Sequence, residues 1–236
     1  MKNKKYFLTI AAADTSGGAG ITQDLKMAQT LSFWGLSVIT AITAQDFQKV
    51  YSMETVSEKI YVAQLKQIFE AFKISAIKIG VIPNQKFAEI LADFISQCSC
   101  PIVYDPVILS TSNFSFAGSE IDEIIKSIWQ KCTVITPNIP EWEYISKLKI
   151  NTPQKPAIYL KGGHSTDNKI IEHLYIDEKM HKYIYDRYKW EYTHGTGCAF
   201  SSLLSMLLVD NDIKTACEKA REYVVKFYEE ICIGRI

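Results

Sequence analysis

The chain has no surplus of charge. Lys plus Arg and Asp plus Glu each number 26 in 236 residues, so the net charge is zero. That argues against a dedicated binder of nucleic acid or of an acidic membrane surface, since both need a strongly basic face. Small anionic ligands stay open. No apolar run approaches the roughly 20 residues that cross a bilayer. The cysteines, at 98, 100, 132, 198, 217 and 232, lack the paired spacing of a zinc site. They read as reduced cytosolic thiols rather than a disulfide or metal framework. The glycine-rich stretches match neither the phosphate loop that ends in Gly-Lys-Ser/Thr nor the dinucleotide fingerprint Gly-x-Gly-x-x-Gly. There is no internal repeat, low-complexity linker or composition break, so one domain is expected over residues 1–236.

What is present is an alternation of buried strands and amphipathic helices. Tyr6 to Ala12 is a continuous apolar run with β-prone members, as in a buried parallel strand. Lys2, Lys4 and Lys5 precede it in the manner of a signal peptide. However, the run from Tyr6 to Ala13 is only eight residues long and passes straight into a glycine loop, so it reads as a first strand. The loop Asp14-Thr-Ser-Gly-Gly-Ala-Gly20 leads into a helix with Ile21, Leu25, Met27, Ala28, Leu31 and Trp34 at roughly helical spacing. Further strands are expected at Ser37–Ala44, Ala76–Gly80, Pro101–Asp105, Thr133–Thr136 and Ala157–Lys161, with helices between most of them. Ser110 to Gly118 is polar and turn-rich, a loop that could cover a site. Residues 169–186 change character and read as an antiparallel hairpin. The class is therefore α/β, with a doubly wound, mostly parallel sheet flanked by helices and a small antiparallel hairpin.

Polar residues gather after the expected strand ends: Asp14, Gln45, Asp105, Asn138, Lys161 and His194. Parallel sheets bind ligands along that edge. The stretch that draws them together is Tyr192-Thr-His-Gly-Thr-Gly-Cys-Ala-Phe-Ser-Ser202, where a glycine turn feeds an apolar helix. A helix start has free N–H groups and the positive end of the dipole, so Gly195, Thr196, Gly197 and Cys198 make a natural anion site. The same field favours thiolate at Cys198. His173 and His181 fall in the hairpin, where packing or surface roles are expected.

Seven segments, in order, carry a resemblance. They are Ala12 to Lys26, Ser37 to Gln45, Lys78-Ile-Gly80, Asp105-Pro-Val107, Ile135-Thr-Pro-Asn-Ile-Pro-Glu141, Lys161-Gly-Gly-His164 and Thr193-His-Gly-Thr-Gly-Cys198. Together they cover most of residues 6–208, and the chain resembles the hydroxymethylpyrimidine/phosphomethylpyrimidine kinases of thiamin biosynthesis, in the ribokinase-like superfamily. The resemblance implies transfer of the ATP γ-phosphate to the hydroxymethyl oxygen of 4-amino-5-hydroxymethyl-2-methylpyrimidine, then a second transfer to its monophosphate. It implies ATP and Mg²⁺ as cofactors, a cytoplasmic homodimer, and no nucleic-acid or membrane partner. It makes Cys198 the candidate base beside the acceptor oxygen. Gln45 would pair with the aminopyrimidine, and the backbone of Gly18, Ala19 and Gly20 would pack close to the ring. Asp24 would support the ring or the loop, and Val81 and Val107 fall at the pyrimidine pocket. Lys161 and Asn138 would serve ATP, and Asp105 and Glu141 the metal.

The sequence departs from the family pattern in three places. Only Trp142 to Pro156 separates Glu141 from the next strand, where the family has a longer crossover, so any helix there must be short or irregular. The chain ends at Cys232-Ile-Gly-Arg-Ile236 without the family's glycine-rich tail, and Val81 stands where a methionine is usual. The first two fall on the expected nucleotide side. Two alternatives stay open: a pyridoxal kinase, which phosphorylates a similar ring alcohol, and a non-catalytic pyrimidine-binding protein.

Overall fold

A computed structural model describes residues 4–109, 114–116, 118–150, 152, 155–162, 168–188, 190 and 194–233. Parts of three expected features, at 110–113 and 117, at 163–164 and at 192–193, lie outside the described residues. In chain order the strands are β1 (Tyr6–Asp14), β2 (Trp34–Gln45), β3 (Val50–Thr55), β4 (Ile74–Ile79), β5 (Ile102–Tyr104), β6 (Val134–Ile135), β7 (Ala157–Leu160), β8 (Lys169–Ile176) and β9 (Lys179–Asp186). The helices are α1 (Gly20–Thr30), α2 (Glu58–Ala71), α3 (Gln85–Ile95), α4 (Ile121–Trp129), α5 (Ile139–Ile145), α6 (Thr196–Leu207) and α7 (Ile213–Ile233).

The strands form one sheet in the order β3-β2-β1-β4-β5-β6-β7-β8-β9. The run from β2 to β7 is parallel, and β3, β8 and β9 add antiparallel edges. The expected hairpin is β8–β9. The order reverses at β1, which lies between β2 and β4, so the switch point that opens a crevice in such sheets falls at the C-terminal ends of β1 and β4.

Two features differ from the sequence expectation. Trp34 begins β2 instead of ending α1, because Ser32 takes a positive φ of 58° and stops the helix first. β3 was not expected. Its residues are half-exposed and mixed in character, since it pairs on one edge only and lends just Val50 and Met53 to packing. The short crossover does hold a helix, the seven-residue α5.

Residues alternate strictly between two cores. Leu8, Ile10, Ile77, Ile79, Ile102, Tyr104, Ile135 and Ile158 pack under α2, α3, α4 and α5. Phe7, Ala76, Val103, Val134, Ala157 and Tyr159 pack under α1, α6 and α7. This double apolar face is what a parallel strand buried on both sides requires. The helix starts are locally encoded: Ser57 accepts from the Ile60 N–H at 3.3 Å, and Asn84 accepts from the Phe87 N–H at 2.9 Å.

The α1–α6 side holds a charge in its centre. Lys78, the last residue but one of β4, is fully buried, and its Nζ lies 3.0 and 2.9 Å from the two carboxylate oxygens of Asp24 on α1. Asp24 also accepts from Thr9 on β1 at 2.5 Å and from Ser202 on α6 at 2.7 Å. Burial opposes the ammonium charge, but the carboxylate more than offsets it and holds Lys78 above its ordinary range. Asp24 was expected to support the ring or the loop, and that expectation is corrected: its oxygens take four hydrogen bonds from three side chains beneath the site. Removing one partner of such a pair leaves a bare buried charge. Lys78→Met is expected to cost about 3–5 kcal/mol in urea unfolding, and Asp24→Asn in the same chain to restore a large part of it.

Candidate active site

Two glycine turns meet above the switch point, one between β1 and α1 and one before α6. Asp14, the last residue of β1, accepts from the N–H and Oγ of Ser16, both at 2.7 Å, and from the Ala19 N–H at 2.8 Å. Its Oδ2 also lies 3.1 Å from His194 Nε2, and the Gln45 side chain is a further hydrogen-bond partner. Burial works against the Asp14 charge, yet these bonds hold its carboxyl well below the usual carboxylate range. On the far side, Tyr228 on α7 donates to the His194 carbonyl at 2.9 Å. Asp14 thus closes its own loop and clasps it to the second.

The glycines answer this clasp. Gly195 has φ +83°, and a Cβ there would sit 1.7 Å from the Gly18 carbonyl oxygen. A Cβ on Gly18 would lie 2.4 Å from the His194 ring. The expectation that Gly18, Ala19 and Gly20 leave room for a substrate ring is refined here: the tight approaches of Gly18 and Gly20 are made to protein, and Ala19 donates its N–H to Asp14.

α6 starts at Thr196, so its first-turn N–H groups lack intrahelical partners and carry the positive dipole end. Cys198 lies in that turn, half-buried, with the Gly20 N–H as a hydrogen-bond donor. Its thiol is pushed up to about 11 by burial first, with Asp24 and Asp105 also raising it and Lys78 pulling it down. Against the thiolate expected from the helix start, burial and the two nearby carboxylates favour the protonated thiol.

On the other side of the turn lies Lys161, just past β7. Its Nζ is 2.6 Å from Asp105 Oδ1, and a Cβ on Gly197 would come 3.3 Å from it. Burial opposes its charge, and Asp105 with Glu141 raises it above its ordinary range. Asp105 also accepts from Thr136 at 3.1 Å and Ser201 at 3.3 Å. Despite burial, Lys161 and Lys78 hold its carboxyl below the usual value. Asp105, expected to serve the metal, has its oxygens engaged by Lys161 and two hydroxyls.

Asn138 and Glu141 form a reciprocal capping box at the start of α5. The Asn138 Oδ1 accepts from the Glu141 N–H, and the Glu141 Oε2 accepts from the Asn138 N–H, both at 2.8 Å. So the Asn138 oxygen expected to serve ATP caps its own helix. Burial raises Glu141 to about 7, against the pull of Lys161. A buried carboxylate short of positive charge suits a cation that keeps most of its ligands as water and phosphate, as Mg²⁺ does. Among the described residues, no group of three or more His, Cys, Asp or Glu forms a metal cage.

The apolar wall is also assembled. Val81 and Val107 join Ala12, Ala41 and Phe116 in one small cluster, with Met53 of β3 against it. Gln45 stands beside it at the end of β2, its backbone N–H donating to Thr15 at 3.1 Å. Sequence reasoning placed Asp14 at the ligand edge without seeing its clasp to His194, and assigned no role to Lys78, Ser201 or Ser202. A lysine inside an apolar strand, and two serines inside a buried helix, were the available signals.

Against this geometry, comparison with known proteins is decisive. The phosphomethylpyrimidine kinase family model matches residues 14–234. The chain belongs to that family. A Staphylococcus aureus protein named hydroxymethylpyrimidine/phosphomethylpyrimidine kinase is 31% identical over 256 residues, covering 100% of this chain and 93% of its own. One of the same name from Aquifex aeolicus is 32% identical, over 93% of this chain and 92% of its own. The crystal structure of the Clostridium difficile phosphomethylpyrimidine kinase superposes with TM-score 0.79 at 29% identity, covering 94% and 99% of the two chains. The S. aureus pyridoxal kinase bound to pyridoxal superposes with TM-score 0.84 at 25% identity, covering 96% and 88%. The family thus shares its ribokinase-like fold with pyridoxal kinases, while sequence places the chain with the pyrimidine kinases.

Two outcomes follow. Gly195→Ala must find a left-handed conformation that costs an L-residue about 1–2 kcal/mol and must push the two turns apart. It is expected to lower both the melting temperature and kcat. For Glu141, a folded value of about 7 against an ordinary 4.5 means that the fold favours the protonated acid. That contribution is full below about pH 4.5 and lost as pH rises through about 7. In cation-free buffer, Glu141→Gln is expected to melt above wild type at pH 8 and level with it at pH 4.5.

Proposed function

We propose that this chain transfers the γ-phosphate of ATP to the hydroxymethyl oxygen of 4-amino-5-hydroxymethyl-2-methylpyrimidine, and then phosphorylates the resulting monophosphate. The observation that carries this is the start of α6. On one side it touches the Gly18–Gly20 turn, next to Gln45 and the Val81–Val107 wall. On the other it touches Lys161 and Asp105. A ring alcohol and a triphosphate would meet across that one turn.

Phosphoryl transfer needs positioning and charge neutralisation more than covalent chemistry. Gln45 offers the donor and acceptor that an aminopyrimidine edge requires. The N–H groups of Gly195, Thr196, Gly197 and Cys198 supply preorganised dipoles for charge on the moving phosphoryl group, and Lys161 a point charge. Mg²⁺, held near Glu141, would neutralise the phosphates when bound. Cys198, a protonated thiol, orients the acceptor oxygen. The new P–O bond forms as the bond to ADP breaks. The hydroxyl proton leaves late, through the monoester, whose second pKa of about 6 releases it to solvent. A homodimeric assembly and a cytoplasmic setting go with this reading. No described helix is long and apolar enough to cross a membrane.

The test is ADP release with the pyrimidine alcohol, its monophosphate and pyridoxal. A higher kcat/KM for the pyrimidine alcohol than for pyridoxal is expected. The reverse order would make the chain a pyridoxal kinase, and stabilisation by the pyrimidine but not by Mg·ATP would make it a non-catalytic binder. Cys198→Ala is expected to lose about 10²-fold in kcat, the size of a lost positioning contact. Wild-type kcat is expected to be flat between pH 7 and 9. A rise of about tenfold per pH unit, the growth of a minor thiolate, would instead make Cys198 the base.

A further inference from the structure

Behind Lys161, on the α6–α7 side of the sheet, a carboxylate is buried that the chemistry above does not use. Glu172 on β8 is 1% exposed. Its Oε2 accepts from the Tyr159 hydroxyl at 2.7 Å. Its Oε1 accepts from the Gly162 N–H at 3.3 Å and from Arg221 of α7. Arg221 in turn lies over the rings of Phe200 and Tyr185, 5.3 and 5.4 Å from their centroids. Phe200 is two residues past Cys198 on α6. One buried carboxylate therefore ties the residue after Lys161 to the last helix, and through Arg221 to the helix that carries the anion-binding turn.

The loop needs such a tie. Gly162 is pressed onto β8 so closely that a Cβ would lie 1.8 Å from the Ile171 carbonyl oxygen. On the opposite, α5 side, Ile139, Leu160, Lys161, Gly162, Ile171 and His173 line a cavity of about 320 Å³. Lys161 is fixed by its own N–H to the Pro137 carbonyl at 2.9 Å, and past it the chain is held from the Glu172 side. A buried ion pair adds little net stability compared with apolar residues of similar volume. Its value here lies in where it holds the backbone.

We infer that Glu172, oriented by Arg221, is a positioning residue that sets the Lys161–Gly162 loop against the α6 turn and so governs the site's grip on the ATP phosphates. The inference rests on the reading of Lys161 as a phosphate contact. Two charge-free double variants isolate it. Glu172→Gln with Arg221→Met loses the ion pair but keeps an oxygen for Gly162; Glu172→Met with Arg221→Met loses both.

The Met/Met variant is expected to have a KM for Mg·ATP about three- to tenfold above that of the Gln/Met variant, the size of one lost hydrogen bond. The KM for the pyrimidine should match between the two, while the Met/Met variant is expected to melt lower, because the buried Tyr159 hydroxyl and Gly162 N–H both lose their acceptor. Equal values for Mg·ATP, or a parallel rise in both KM values, would overturn the positioning role. A Lys161→Ala control separates the two readings: an unchanged KM for Mg·ATP overturns the phosphate contact itself, and the inference with it. Independently of any variant, the Gly162 amide of the wild-type protein is expected to resist hydrogen exchange, and exchange at open-loop rates would overturn the inference.

Discussion

An ammonium group buried on a strand inside a sheet is unstable unless a counter-charge and further hydrogen bonds reach it. Lys78 is in that position, and its solution dictates much of what surrounds it. Asp24 must come from α1, Thr9 from β1 and Ser202 from α6 to complete the cluster. Once they do, the two helices whose starts form the site are locked to the two strands that flank the switch point. The distance between the turns is fixed from below, through charge, before any surface contact is made. The Asp14–His194 clasp then fixes it again from above. A site with such double support holds its shape without a ligand, as electrostatic preorganisation requires.

The same logic extends along the strand ends. Each cation near the α6 turn rests against a carboxylate, Lys78 against Asp24 and Lys161 against Asp105. Lys161 is the less enclosed of the two and stands at the edge where phosphates would arrive. Incoming phosphates would share an ammonium that is already oriented. Glu141, next along, is the carboxylate left under-compensated, and it marks where one more positive charge is wanted.

Most of the architecture was legible because it is written in period. Apolar runs bounded by Gly, Pro or Asp gave the parallel strands, and the hairpin stood out by its change of pattern. β3 was not legible, since a one-sided edge strand needs little apolar alternation and Val50 and Met53 look like loop residues in isolation. The glycine turns, and the places of Gln45, Lys161 and Cys198 at strand and helix ends, could be read from motif and position. Their couplings could not. That Asp24 faces Lys78 instead of a ligand depends on residues 54 positions apart meeting across a sheet. The ionisation of Cys198 was misjudged for a related reason. The helix start that favours thiolate is visible in the sequence, but the burial and the two carboxylates that outweigh it are not. Glu172 gave no sign, because an acidic residue in a hairpin strand reads as solvated until α7 is seen to close over it.

The state of Cys198 has a bearing on durability. Thiols are attacked by oxidants and electrophiles as thiolates, and a group near 11 is ionised only about once in 10⁴ molecules at pH 7. The protein keeps a soft, polarisable sulfur at the start of α6 while burial and nearby carboxylates suppress the thiolate that would make it reactive. Peroxide and alkylating metabolites would find it nearly inert. A phosphoryl-transfer site can tolerate that bargain, because its transition state asks for placement and charge more than for a strong base.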